Sequence, residues 1–136
     1  MKNIVKITSL LLIFSSAILF AQSKKDAVRE VLEDGTVVIS SKTLAKDIFG
    51  YASTTPIKLH IKNGVISNIE YELNNETPDY FDELLINDTL AKKWIGKGLK
   101  DAATAQVDAI SGSTFSSEAV NENIRRAAKY ELGFSK

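Results

Sequence analysis

Apolar and polar positions alternate most regularly over residues 56–73 (PIKLHIKNGVISNIEYEL). Ile57, Leu59, Ile61, Val65, Ile69, Tyr71 and Leu73 all occupy odd positions, so one alternation runs straight through the turn. A two-residue Asn63-Gly64 turn would pair Lys62 with Val65 and put Val65 on the face opposite Ile61. A three-residue loop, Lys62-Asn63-Gly64, pairs Ile61 with Val65 and keeps a single apolar face. The pattern therefore predicts a hairpin with a bulge-type turn in which Gly64 takes the left-handed region. His60 falls on the other face, beside Lys58 and Lys62, as a partly exposed surface residue. Residues 36–40 (TVVIS) read as a further strand, because β-branched residues dominate. So does the short segment Gln106–Ile110.

Elsewhere the spacing is helical. Ala27, Val28, Val31 and Leu32 predict a short helix within 23–34, ended by Asp34-Gly35, and Thr43–Phe49 predicts another, stopped by Gly50. After a polar loop at 74–79 a helix is expected from Asp79 as N-cap, with Tyr80 and Phe81 read as its core residues. Leu90, Trp94 and Ile95 mark one more helical turn before Gly96 and Gly98. Val120, Ile124, Ala127 and Ala128 give the period of a terminal helix at 116–132. The expected fold class is α+β: an antiparallel sheet built around the 56–73 hairpin, with packed helices that include the C-terminal one.

The first residues change the domain picture. Lys2 and Lys6 precede an apolar run from Ile7 to Ala21 that ends on a small residue. That arrangement reads as a secretory signal peptide at 1–21, shorter than the roughly 20 apolar residues that span a bilayer. An uncleaved anchor is the alternative. A single domain, 22–136, remains, and the protein is expected on the periplasmic or cell-envelope side of the inner membrane. The whole chain has 17 Lys+Arg and 17 Asp+Glu. Losing Lys2 and Lys6 leaves two more acids than bases, and no basic footprint for nucleic acid. There are no cysteines and one histidine, which excludes a disulfide framework, a zinc-thiolate site and an iron–sulfur cluster. No metal site is expected, and any redox chemistry would come from an organic cofactor.

One stretch carries chemistry: 108-DAISGSTFSSEAV-120. Five of the seven residues Ser111–Ser117 are serine or threonine, and one is glycine. Helix capping needs one such hydroxyl, worth about 1 kcal/mol. The second reading is a phosphate-binding helix N-terminus. First-turn amides are unpaired donors, small residues let an anion approach the backbone, and hydroxyls add hydrogen bonds.

Asp108-Ala109-Ile110-Ser111-Gly112-Ser113-Thr114 resembles the flavinylation motif of the FMN-binding domain family, which includes the C and G subunits of the sodium-pumping NADH:quinone reductase and its Rnf relatives. The motif runs Asp, two variable residues, Ser or Thr, Gly, usually Ala, and Thr. Ser113 departs from the usual Ala. Upstream, Gly50-Tyr51, Pro56-Ile57, the strand–Gly–strand hairpin, Glu76-Thr77-Pro78 and the segment Lys92–Gly98 are similar to the family's succession of motifs. The resemblance covers roughly residues 49 to 126. Two departures stand out: Asp79-Tyr80-Phe81 follows Glu-Thr-Pro where small residues are common, and two extra residues separate Gly50-Tyr51 from Pro56.

The resemblance implies that FMN is esterified through its phosphate to Thr114 by a separate flavin transferase, with FAD as donor. The amides of Phe115, Ser116 and Ser117 would face the phosphate, with Ser111, Gly112 and Ser113 beside it. Asp108 would orient the loop or be read by the transferase. Glu76 and Thr77 would lie in the loop against the flavin ring, on which Tyr80 or Phe81 is an alternative stacking surface. The implied role is an electron carrier working with membrane or periplasmic redox partners rather than a stand-alone enzyme. Two other readings stay open: a module that binds FMN without a covalent bond, and an interaction domain without flavin.

Overall fold

A computed structural model describes residues 28–135, so the expected signal segment lies outside the described residues. Four strands, β1 (Arg29–Val31), β2 (Val37–Ser40), β3 (Ile57–Lys62) and β4 (Val65–Tyr71), form one antiparallel sheet in the order β1-β2-β3-β4. Among the described residues four α-helices follow, α1 (Pro78–Leu85), α2 (Thr89–Trp94), α3 (Leu99–Ala102) and α4 (Thr114–Phe134), with a short 3-10 turn at Ile86–Asp88 between the first two. This is the expected α+β class, with the long C-terminal helix packed across β2 and β3. Val120, Ile124, Ala127 and Ala128 are buried against Ile39, Ile57, Leu59 and Ile61, and Phe81, Leu84, Leu90 and Trp94 close the core. Among the described residues, no helix is long and apolar enough to cross a membrane.

The hairpin forms, but its irregularity sits elsewhere than expected. Lys62 pairs with Val65 across a two-residue Asn63-Gly64 turn, and both turn residues have positive φ, 52° and 73°. Asn-Gly is the pair best suited to that geometry, whose twist matches the flanking strands. The register shift comes inside the ladder. His60 opposes Asn68 while Ile61 opposes Ile66, so Ser67 is the extra residue of a bulge in β4. The bulge turns Ile66 inward, 1 % exposed, and leaves Val65 outside at 38 %. His60 is partly exposed, as expected, and lies 3.3 Å from Glu70 Oε2.

Among the described residues, three expected elements do not form, each for a physical reason. Within 23–34 the described residues form β1 rather than a helix. Gly35 at φ 86° and the bond from the Thr36 amide to Asp34 Oδ1 (3.0 Å) fold the chain back, so that Arg29–Val31 pairs with Val37–Ile39. Residues 43–49 form turns and no helix. Ala45 N–H reaches the Ser41 carbonyl, but the Leu44 carbonyl is taken by Arg126 Nη1 (3.0 Å), which also holds Asp47. Gln106–Ile110 has no strand partner. Side chains satisfy this extended segment: Arg125 Nη1 donates to the Ala105 carbonyl, Asn121 Nδ2 to that of Val107, and Lys93 Nζ to that of Asp108. Asn121 also accepts the buried Trp94 Nε1–H at 2.8 Å, tying α2 to α4. Helix α1 starts at Pro78, so Thr77 holds the N-cap position and Asp79 lies in the first turn. Proline suits the first helical position, where no intrahelical N–H bond is lost.

Tyr71 is the one described residue whose buried side-chain oxygen lacks a hydrogen-bond partner. Burial, with the nearby Asp88 charge adding to it, pushes its hydroxyl up to about 12 from 10.0. The folded state thus favours neutral Tyr71. Its contribution to stability is full below about pH 10 and is lost as pH rises towards 12. Tyr71→Phe should remove that alkaline loss and leave stability at neutral pH equal or higher by about 1 kcal/mol, because an unpaired hydroxyl is removed. Urea unfolding at neutral and alkaline pH checks both parts.

Candidate functional site

Three segments meet at the start of α4: the loop at Gly50–Ser53, the Glu76-Thr77-Pro78 entry to α1, and residues 110–117. Glu76 joins them. Its buried carboxylate accepts the amides of Ala52 (3.2 Å) and Ser53 (3.0 Å) and the Ser116 hydroxyl (3.0 Å). Gly50 is required by the same carboxylate, since a Cβ there would lie 2.4 Å from Glu76 Oε1. The Gly-Tyr and Glu-Thr-Pro segments are thus one interlocked structure. Thr77 contributes through its backbone: its carbonyl accepts the amides of Tyr80 and Phe81.

The hydroxyl cluster divides by burial. Ser113, Ser116 and Ser117 are buried, whereas Ser111, Gly112, Thr114 and Phe115 are exposed. Ser113 donates to the Tyr80 carbonyl, and Ser117 Oγ accepts the Ile110 amide at 3.0 Å. The Ser113 amide closes the loop onto the Ile110 carbonyl at 3.0 Å, with Gly112 at φ 85° between them. Helix α4 begins at Thr114, two residues before the expected start, and Ser113 at the N-cap makes no side-chain capping bond. Capping is therefore not what the serines do; they brace the loop against α1 and the Gly50–Ser53 loop. The earlier start also changes the set of first-turn donors. The Ser117 amide is committed to the Ser113 carbonyl at 2.8 Å, so the amides ahead of the first intrahelical bond are those of Thr114, Phe115 and Ser116.

A cleft of about 280 Å³ opens here, lined by Tyr51, Tyr80 and residues 112–116. Tyr51 and Tyr80 meet with ring centroids 4.9 Å apart, tilted by 49°. The expectation that both Tyr80 and Phe81 are core residues holds only for Phe81, which is 6 % exposed and meets Tyr71 edge-on. Tyr80, one residue earlier on α1, is 42 % exposed and faces the cleft. Tyr51 was legible only as half of a Gly-Tyr motif, and nothing local in the sequence places it beside Tyr80. A second cleft, on the far side of the shared Phe115, is lined by Phe49, Gln106 and Arg125 among others. Asp108 is exposed, and its bond from Lys93 is to the backbone carbonyl, not the carboxylate.

These features fit a flavin phosphate. The lining holds no acidic side chain, the first-turn amides of a 21-residue helix supply donors and partial positive charge, and aromatic faces lie within the same cleft. Gly112 lets the backbone turn tightly where an anion would approach. In Gly112→Ala the new Cβ would meet nothing within 4 Å, so the cost is that of the left-handed backbone alone. A loss of about 1–2 kcal/mol is expected in denaturant unfolding.

The family model described as FMN-binding domain matches residues 50–129, a span that contains all three converging segments and most of α4. No curated protein and no solved structure gives a significant match. The matched span is more than half of the chain, and the protein belongs to the FMN-binding domain family.

Proposed function

We propose that this protein is an exported flavoprotein that carries FMN on Thr114 through a phosphoester and relays electrons between partner proteins. One observation carries the choice of residue. Thr114 is exposed at the first position of α4 and lines the cleft, while the hydroxyls of Ser113, Ser116 and Ser117 are buried in bonds that hold the loop. In the attachment step, Thr114 Oγ attacks the flavin-side phosphorus of FAD, supplied by a flavin transferase. The Thr114 Oγ–P bond forms, the P–O bond to the adenylate breaks, AMP leaves with the electron pair, and the hydroxyl proton passes to the transferase. The amides of Thr114, Phe115 and Ser116 would hold the remaining negative charge of the diester. The exposed Asp108 carboxylate is the recognition mark for the transferase.

When bound, FMN supplies one- and two-electron redox chemistry. The chain itself holds and orients it, and the cleft lining offers no general acid–base pair. A covalent bond suits a site outside the cytoplasm, where lost flavin is not readily replaced. The test is the intact mass of the denatured protein after co-expression with a flavin transferase. A gain equal to FMN minus water, mapped to the peptide containing Thr114, is expected. Flavin that departs on denaturation would instead define a non-covalent module, and a chain that never takes up flavin would define an interaction domain.

A further inference from the structure

We infer that Tyr51 and Tyr80 form the face that holds the flavin ring, and that Ser113 is the positioning residue that sets Tyr80 in place. The inference rests on the flavin reading above. Tyr51 is 58 % exposed and Tyr80 42 %, and they touch each other in the cleft that also contains Thr114. Both rings line the same cleft as Thr114, the proposed attachment point.

Polar contacts hold the backbone at or next to each tyrosine, while its ring stays partly exposed. Tyr51 is followed by Ala52 and Ser53, whose amides are held by the Glu76 carboxylate. Tyr80 has its carbonyl bonded to the Ser113 hydroxyl, with Ser113 only 3 % exposed, and its amide bonded to the Thr77 carbonyl at 3.1 Å. The Ser113 bond joins the attachment loop directly to α1. It thereby fixes the spacing between the residue that would carry the flavin and the ring that would lie against it. Two of the positions at which this chain departs from the usual motifs, Ser113 and Tyr80, are partners in this one contact.

Tyrosine in contact with a flavin ring quenches its emission by electron donation to the excited ring, and phenylalanine, of the same shape, does so poorly. The experiment uses full-length protein loaded by co-expression with a transferase, with the attached flavin confirmed by mass. The unsubstituted protein should emit several-fold less than free FMN at equal absorbance. Tyr51→Phe and Tyr80→Phe should each raise emission, and the double variant should approach free FMN. Ser113→Ala should raise emission part of the way with flavin still attached, an effect that a loss of stability alone would not produce in folded protein. Phe49→Leu, in the neighbouring cleft, should change nothing. Attached flavin as bright as free FMN, or quenching indifferent to both tyrosines, overturns the inference while leaving the attachment intact. If flavin is bound without a covalent bond, the same variants titrated with FMN give the same test. A chain that neither carries nor binds FMN overturns both readings.

Discussion

Thr114→Ala is expected to abolish covalent flavin while leaving the fold intact. The proposed attachment step needs an available hydroxyl in the cleft, and the substitution removes that of Thr114, which is exposed and lines it. Ser111 is also exposed, but it precedes Gly112 and does not line the cleft, so it should not take over. The braced serines are buried and cannot reach a phosphorus outside without dismantling the loop. Thr114 itself is exposed, and replacing it should change stability by no more than about 0.5 kcal/mol. Thr114→Ser keeps the nucleophile and should still be loaded. Denatured protein, separated by size and inspected for flavin emission, gives the result directly: signal in the unsubstituted and serine forms and none in the alanine form. Flavin emission that survives denaturation in Thr114→Ala would move the attachment to another residue. Native Thr114→Ala protein should still bind added FMN weakly, since the amides and the tyrosines are untouched.

What the sequence disclosed follows from the range of the interactions involved. Local patterns were sufficient for the hairpin, for Gly64 at a turn and for the terminal helix, because alternation and helical period report directly on which face is buried. They were insufficient where side chains from distant elements satisfy the backbone. Arg126 takes a carbonyl from 43–49, and Arg125, Asn121 and Lys93 take those of 105–108, so neither segment needs the ladder or helix its composition suggested. The bulge at Ser67 could not be read from alternation, since moving the extra residue from turn to strand exchanges Val65 for Ile66 at little cost in pattern. The site shows the same division. A run of hydroxyls beside glycine was visibly in excess of a helix cap. Which hydroxyls brace and which remain available depended on Glu76 and Tyr80, 40 and 33 residues away from their serine partners.

Glu76→Ala should have the largest effect on the protein as a whole. A buried acceptor that serves several donors costs much to remove, because each donor is left without a partner in a place water reaches poorly. Here the Ser116 hydroxyl is buried, while the amides of Ala52 and Ser53 lie nearer the surface and can recover some hydration. A loss of about 3 kcal/mol is therefore expected, rather than the full sum for three orphaned donors. The functional loss should exceed the thermodynamic one. Without the carboxylate, the Gly50–Ser53 loop keeps the Gly50–Ser53 backbone contact, the Ser53 hydroxyl bond from the Asn75 amide, the flanking Phe49–Thr54 bridge and the Tyr51–Tyr80 ring contact, so Tyr51 is held less firmly. Glu76→Gln separates geometry from charge. Its amide oxygen can still accept the two backbone amides, and the Ser116 hydroxyl can turn to accept from the new NH2 group, so a loss of about 1 kcal/mol is expected. Denaturant midpoints rank the three proteins, and proteolysis of the native state at the 50–53 loop reports the tether. Glu76→Ala with an unchanged midpoint and an uncut loop would show that the carboxylate does not hold the two motifs together. A Gly50→Ala variant should reproduce the defect from the opposite side, because its Cβ would displace the same carboxylate oxygen.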